Sequence, residues 1–167
     1  MKRVLITGMS GTGKSSVIQE LVARGQRAHD LDAPEWSEWI DAAPSDGLTP
    51  APGKDWVWRE NRVRALLSQP GDGTLFIGGC AENMGRLLPL IDVVILLSAP
   101  VATIMGRLAT RSSGGYGSVA EERRKAGELI ATIEPLLRKS ADHEIDTKRP
   151  IQVTVDEILR LAGNCVR

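Results

Sequence analysis

The chain has 167 residues, and its 21 lysines and arginines balance 21 aspartates and glutamates, so no long-range field favours nucleic acid or an anionic membrane as a partner. That length suits one domain, residues 1–167, with a continuous core; 42% hydrophobic and 25% charged residues are ordinary values for a soluble protein. Two cysteines exclude a disulfide framework, the first apolar run is too short for a signal peptide, and no stretch is long enough to span a membrane, so a cytoplasmic monomer or homodimer is expected.

Lys2 to Thr7 reads as a strand buried on both faces, because its apolar residues run together with almost no polar alternation. It leads into Gly8-Met9-Ser10-Gly11-Thr12-Gly13-Lys14-Ser15, the phosphate-binding pattern G-x-x-x-x-G-K-[ST] at a strand-to-helix junction. The glycines let backbone N–H groups surround phosphate oxygens. Lys14 reaches the β- and γ-phosphates, and the Ser15 hydroxyl suits Mg²⁺. Ser16 follows in the first helical turn, whose positive end adds to the anion site. The helix is expected over Lys14–Arg24, with Val17, Ile18, Leu21 and Val22 as its apolar face and Gly25 as its stop.

Gln26 to Leu31 is a weaker second strand that ends in Asp30-Leu31-Asp32, and Ala33 to Asp55 reads as irregular, with prolines at 34, 44, 50 and 52. A helix is expected over Arg59–Ser68, facing inward through Val63, Leu66 and Leu67. Leu75-Phe76-Ile77 forms a third strand closed by Gly78-Gly79, and Val93–Leu97 a fourth, followed by a helix to about Thr110. A Ser/Gly-rich loop, Ser112–Ser118, precedes a helix that opens with the capping-box spacing Ser118-Val119-Ala120-Glu121. Pro135 should kink or divide that helix. Ile145 centres a fifth strand, and Thr154-Val155-Asp156-Glu157 should cap a last helix buried through Val155, Ile158, Leu159 and Ala162.

Alternating strands and helices imply an α/β fold, a parallel sheet with right-handed crossovers. Ligands in such sheets collect at the carboxyl ends of the strands, which gathers Gly8–Ser15, Asp30–Asp32, Gly78–Gly79 and Ser98–Pro100 onto one rim. The metal needs an acidic partner, yet the third strand ends Ile77-Gly78-Gly79-Cys80 without a carboxylate, and Asp92 precedes its strand at the wrong edge. The acidic role therefore falls to Asp30 and Asp32, whose i, i+2 spacing on an extended segment points both to one side. One would hold Mg²⁺ and the other would orient or deprotonate an acceptor hydroxyl.

Gly-Met-Ser-Gly-Thr-Gly-Lys-Ser, Asp-Leu-Asp, Trp58-Arg59 at a helix start and Ile-Gly-Gly after strand three, in that order, resemble shikimate kinase. Gluconate kinase and the wider nucleoside-monophosphate-kinase-like P-loop group share much of the plan. The resemblance implies a three-layer P-loop kinase fold, a five-stranded parallel sheet in order 2-3-1-4-5 with helices on both faces and a short lid. It implies an ATP-dependent, Mg²⁺-requiring kinase of a small-molecule acceptor. It gives Asp30 to metal-bound water, Asp32 to the acceptor hydroxyl, Arg59 to a substrate anion, and Gly78 and Gly79 to the acceptor pocket. The acceptor-side region would span about 33–70 and the lid about 111–122. The stretch between Asp32 and Arg59 and the residue Cys80, where the family has a third glycine, depart from the pattern.

Arg107 and Arg111 are four apart and share a helix face just before the glycine-rich lid. In similar kinases an arginine at the lid's start packs on adenine, and one within or after the lid, here Arg123 or Arg124, stabilises the transferring phosphoryl. Lys148-Arg149-Pro150 lie where relatives cup the base. All four tryptophans, Trp36, Trp39, Trp56 and Trp58, fall in the acceptor-side stretch, as aromatic walls for an acceptor (Trp36 and Trp58 foremost) or as a small local core. His29, His143 and Cys80 read as structural. Two rival functions stand: a nucleotide kinase, kept alive by Arg59, Arg62 and Arg64, and an NTP-binding regulatory module. No Asn-Lys-x-Asp or Asp-x-x-Gly element supports a GTPase.

Overall fold

A computed structural model describes residues 1–43, 47–110 and 117–164. The apolar run after Met1 forms strand β1 (Lys2–Thr7), and the helix after the phosphate loop is α1 (Lys14–Ala23). They are followed by β2 (Arg27–Asp30), β3 (Ser37–Asp41), β4 (Lys54–Trp58), α2 (Glu60–Leu67) and β5 (Thr74–Gly78). Two short 3₁₀ turns, Glu82–Arg86 and Leu88–Leu90, lead to β6 (Val93–Ser98). Then come α3 (Val101–Ala109), α4 (Ala120–Ser140), β7 (His143–Asp146) and α5 (Ile151–Asn164).

Five strands make one sheet in the order β2-β5-β1-β6-β7, and every pairing in it is parallel. Counting these five alone, the order is the 2-3-1-4-5 expected from the sequence. Alternation along the strands divides the core into two layers. Val4, Ile6, Phe76, Ile95 and Leu97 pack with Val17, Ile18 and Leu21 of α1 and Val155 and Ile158 of α5. Leu5, Leu75, Ile77 and Leu96 pack on the other face with α2, α3 and α4, through Val63, Ile104, Leu129 and Ile130 among others. The sheet is thus covered on both sides, which is why Val4–Ile6 of β1 and Val93–Leu97 of β6 are unbroken apolar runs.

Several local expectations give way to tertiary packing. The stretch expected to be irregular holds an antiparallel hairpin, β3 with β4, in which Trp39 pairs with Trp56. Their rings lie 5.0 Å apart, and cross-strand aromatic pairs of this kind stabilise a two-stranded ribbon; Pro34, Pro50 and Pro52 fall outside both strands. Val22, expected on the buried face of α1, is 53% exposed. The helix ends as expected at Gly25, where Gly25 N–H donates to Val22 and Gln26 N–H to Leu21, a Schellman closure.

The capping box before α4 is not formed: Val119 is the N-cap without a side-chain bond, and Glu122, not Glu121, accepts the Gly117 N–H at 2.8 Å. Pro135 does not divide α4, which runs unbroken to Ser140. Glu134 and Arg138 bridge the proline at 2.8 Å, Arg138 also reaches Glu144 of β7, and buried Leu129, Ile130 and Leu137 hold both halves against the sheet. Helix α5 begins at Ile151 rather than at Thr154, because the Pro150 carbonyl already accepts the Val153 and Thr154 N–H groups.

Candidate active site

The loop between β1 and α1 is built by close approach. A Cβ on Gly8 would stand 2.4 Å from the Leu97 carbonyl oxygen, so only glycine lets the loop cross the end of β6. Gly13, at φ 100°, is the N-cap of α1, a left-handed conformation that favours glycine. Thr12 Oγ1 donates to the Met9 carbonyl at 2.7 Å, which ties the loop across itself. Lys14 is buried, and its Nζ donates to the Gly8 carbonyl at 2.7 Å and the Met9 carbonyl at 3.3 Å. A primary ammonium lodged under loop carbonyls is poised to change partners when phosphate oxygens enter.

Two cavities flank this loop. The first, about 570 Å³, is bordered on the loop side by Gly8, Met9, Ser10, Lys14 and Asp32. Its hairpin side carries Trp39, Asp55 and Trp56, its β5 side Cys80 and Glu82, and its α4 side Leu129, Ile133, Leu136 and Leu137. The second, about 350 Å³, lies across the loop and is lined by Gly11, Thr12, Gly13, Ser16, Arg107, Thr147 and Arg149, among others. Lys14 and Asp32 sit where the loop opens into the larger cavity.

Asp32 is held by four donors or charges from three parts of the chain. Its Oδ1 accepts the Cys80 N–H at 3.0 Å and the Trp58 indole N–H at 3.3 Å. Its Oδ2 lies 3.9 Å from Lys14 Nζ, and its main-chain carbonyl accepts the Trp56 indole N–H at 3.0 Å. Trp56 and Trp58, two apart on β4, therefore grip one residue from one strand face. The side chain keeps 29% of its surface accessible, yet protein crowds it closely. Desolvation raises its pKa above the ordinary carboxylate value, against the Lys14 charge and the two hydrogen bonds, which pull it down. Cys80 is likewise pushed up by burial, the behaviour of an inert packed thiol.

Asp30 closes β2, and its Oδ1 accepts the Asp32 N–H at 3.1 Å across the turn that follows; Asp32 borders the large cavity, and Asp30 borders neither. Ser15 is exposed in the first turn of α1. A hydroxyl and a carboxylate are hard oxygen donors of the kind Mg²⁺ takes when phosphates and waters complete its shell. Among the described residues no cluster of three or more His, Cys, Asp or Glu could hold a metal by itself.

Other expected residues lie elsewhere. Trp36 and Trp58 do not line the large cavity; they are 9% and 2% exposed, and Trp39 and Trp56 form the aromatic wall instead. Trp56 and Trp58 share a strand face, so closure rather than alternation separates them: Trp58 is drawn inward by Asn83, whose amide N–H donates to the Trp58 carbonyl at 2.8 Å and whose Oδ1 accepts the Trp58 main-chain N–H at 3.1 Å. Trp36 packs under Arg62, 4.9 Å above its ring, and edge-on to His29. Arg59 is turned to Glu38 at 2.7 Å and does not border the cavity.

Gly78 and Gly79 also act by packing rather than by lining. A Cβ on Gly78 would meet Ile18 of α1 at 2.6 Å, and one on Gly79 would meet Asp32 Oδ1 at 2.8 Å and Trp58 at 3.0 Å. Arg123 reaches neither cavity; its guanidinium donates to the Gly117 and Ser118 carbonyls and fastens the start of α4. Arg111 and loop residues 112–116 lie outside the described residues. Arg107 does border the second cavity, bridging Gly11 O at 3.2 Å to Thr147 O at 2.7 Å and Thr147 Oγ1 at 3.0 Å. Arg149 joins it there, whereas Lys148 and Pro150 do not.

Asn83, Asp55, Glu82 and the α4 leucines escaped the sequence reading. Residues 129, 133, 136 and 137 carry a helical stripe spacing that could have marked a wall, but nothing local told which surface it would face.

A phosphate loop at the carboxyl edge of a parallel sheet defines a P-loop nucleotide-binding domain, and the family model described as AAA domain matches residues 4–127. A shikimate kinase of Syntrophus aciditrophicus (strain SB) is 31% identical over 181 residues, covering 95% of this chain and 90% of that one. A shikimate kinase of Pseudomonas savastanoi pv. phaseolicola (strain 1448A / Race 6) is 30% identical over 168 residues, 97% of each. The chain belongs to the AAA-domain family of P-loop proteins and to the shikimate-kinase-like small-molecule kinases. The fold agrees: a shikimate kinase from Acinetobacter baumannii in complex with shikimate superposes over 100% of this chain and 96% of that one, with a TM-score of 0.65 at 22% identity. A gluconokinase from Sinorhizobium meliloti 1021 covers 98% of this chain and 94% of that one, with a TM-score of 0.57 at 18% identity.

Proposed function

We propose that this protein transfers the terminal phosphoryl of ATP to a hydroxyl of a small molecule held in the 570 Å³ cavity. The observation that carries the reading is Asp32 Oδ2, 3.9 Å from Lys14 Nζ, where the phosphate loop meets that cavity. Two donors hold Oδ1, so Oδ2 is left to accept the acceptor's hydroxyl hydrogen. Its raised pKa makes it a stronger base than an ordinary aspartate. Lys14 gathers charge at the transferring group, and the N-terminal end of α1 adds its dipole. Arg107 and Arg149 border the smaller cavity, which suits the nucleoside end of ATP. Ser15 and Asp30 would hold Mg²⁺, directly or through water. Bound there, the cation would neutralise phosphate charge. Buried Leu129 and Leu137 exclude water from one wall of the acceptor cavity. We place the whole reaction in one cytoplasmic catalytic domain, monomeric or homodimeric, with no nucleic acid or membrane partner.

The nucleotide-kinase alternative asks for arginines facing the acceptor. Arg59, Arg62 and Arg64 instead pair with Glu38, Glu35 and Glu60, so a hydroxyl acceptor is favoured. The test is acceptor-dependent ADP release from Mg-ATP across hydroxylated metabolites and nucleotides. A hydroxyl compound should raise release well above basal hydrolysis, and Asp32→Asn should cut that transfer by about a hundredfold to ten-thousandfold. Slow basal hydrolysis alone across the panel would favour the regulatory-module reading, and an unchanged Asp32→Asn rate would remove Asp32 as the base.

A further inference from the structure

Asp32 lies just beyond the part of the chain that the parallel sheet holds. Strand β2 ends at Asp30, and Leu31 N–H still reaches the Gly78 carbonyl of β5 at 2.7 Å. At Asp32 the hairpin takes over, although β4 pairs with β3 in a separate two-stranded sheet. The Trp58 indole N–H reaches Oδ1 at 3.3 Å, and the Trp56 indole N–H reaches the main-chain carbonyl at 3.0 Å. The two indoles differ in what surrounds them. Trp58 is buried, and Asn83 ties its main chain through both N–H and carbonyl. Trp56 is half-buried, lies 5.0 Å from the Trp39 ring and borders the large cavity.

The ring of Trp56 and its N–H therefore serve different partners. The ring walls the space in which the acceptor sits, and the N–H helps to fix the main chain of Asp32. That carbonyl does no chemistry itself, but a shift of the main chain carries the carboxylate with it. Misplacing a reacting group by about 1 Å can cost on the order of a hundredfold in rate. We propose that Trp56 is a positioning residue for Asp32 as well as a wall of the cavity, so that one side chain joins acceptor contact to the placement of Oδ2 beside Lys14. The catalytic consequence rests on the phosphoryl-transfer reading, with Asp32 as the base; the placement of Asp32 by Trp56 does not.

Two replacements in the full chain separate these duties. Benzothienylalanine at position 56 keeps the bicyclic ring and puts sulfur in place of the N–H, so the bond to Asp32 is lost and the wall is kept. Trp56→Leu loses ring and bond together. Crystal structures of the parent and the benzothienylalanine protein, both with Mg-ADP, read the position of Asp32. ADP release from Mg-ATP is followed in parallel with shikimate, D-gluconate or benzyl alcohol as acceptor. The benzothienylalanine protein should show Asp32 Oδ2 displaced by about 0.5 Å or more. Its kcat should fall about fivefold to tenfold, the worth of one hydrogen bond, with the acceptor KM within about twofold of the parent. Trp56→Leu should lower kcat and raise KM together. Combined with Asp32→Asn, the benzothienylalanine replacement should cost little further rate, because it acts through that carboxylate. An unmoved Asp32, a raised KM with kcat kept, or an equal loss of kcat with and without the Asp32 carboxylate would overturn the inference. If none of the three alcohols raises ADP release above basal hydrolysis, the position of Asp32 decides the inference by itself, and that result counts against the transfer reading alone.

Discussion

Asp32 divides its two oxygens between the fold and the cavity. Oδ1 is fixed by Cys80 and Trp58, and Oδ2 is left beside Lys14. Gly79 makes this possible, since any side chain there would stand within contact of Asp32 and Trp58. The arrangement has a thermodynamic consequence. Because burial raises the Asp32 pKa, the folded state holds this proton more tightly than the unfolded chain does. The associated stability is full below the unfolded value, about pH 4 for an aspartate, and is lost as pH rises through the higher folded value. In the protein free of metal and nucleotide, Asp32→Asn should therefore gain melting temperature relative to the parent as pH is raised from about 4 to 7.5. Thermal unfolding of both proteins at the two pH values measures this; a gain that shrinks with rising pH would contradict it. The carboxylate was legible as a chemical residue, but its partners were not, because Trp58, Cys80 and Lys14 come from four different segments with Asp32 itself.

At the scale of elements, one side chain joins the two ends of the nucleotide side. Arg107 of α3 bridges the phosphate loop to Thr147, in the turn after β7. Hydrogen bonds to a charged group contribute about 1.5–3 kcal/mol, so Arg107→Ala should lower stability by roughly that amount and weaken nucleotide binding about tenfold, with acceptor binding little changed. Arg107→Lys should not restore it, because an ammonium lacks the planar fork that serves both sides at once. Denaturant unfolding and calorimetry with an ATP analogue distinguish these outcomes. Strands β1, β5 and β6 and helices α1 and α2 were readable because their apolar residues form unbroken runs or one helical face. The β3–β4 hairpin was not, since prolines and polar residues surround two five-residue strands whose pairing is long-range. Pro135 misled for the opposite reason: a strong local breaker is overridden by packing and by the Glu134–Arg138 bridge.

For the molecule as a whole, the nucleotide should be a structural ligand as well as a substrate. Lys14 lies buried under carbonyls of its own loop, and Arg107 already links that loop to β7, so binding reinforces contacts on both sides of the sheet. At a hundredfold excess over Kd a ligand stabilises the folded state by about 2.7 kcal/mol, worth about 5–11 °C in a chain of this size. Mg-bound ATP analogue should raise the melting temperature by that amount, and Lys14→Ala should remove most of the shift. An undiminished shift in Lys14→Ala would place the nucleotide elsewhere.

The sequence by itself determined the phosphate loop, the parallel α/β plan and the place of Asp30 and Asp32 at the end of the second strand, because these depend on short-range pattern: glycine spacing, apolar periodicity and position at a strand end. Only the tertiary structure decided that Trp39 and Trp56, not Trp36 and Trp58, face the cavity, that Arg59 and Arg123 are spent on local ties, and that α4 supplies an apolar wall. Those outcomes depend on which faces of distant elements meet, and on which charges find a partner first. No spacing along the chain encodes either.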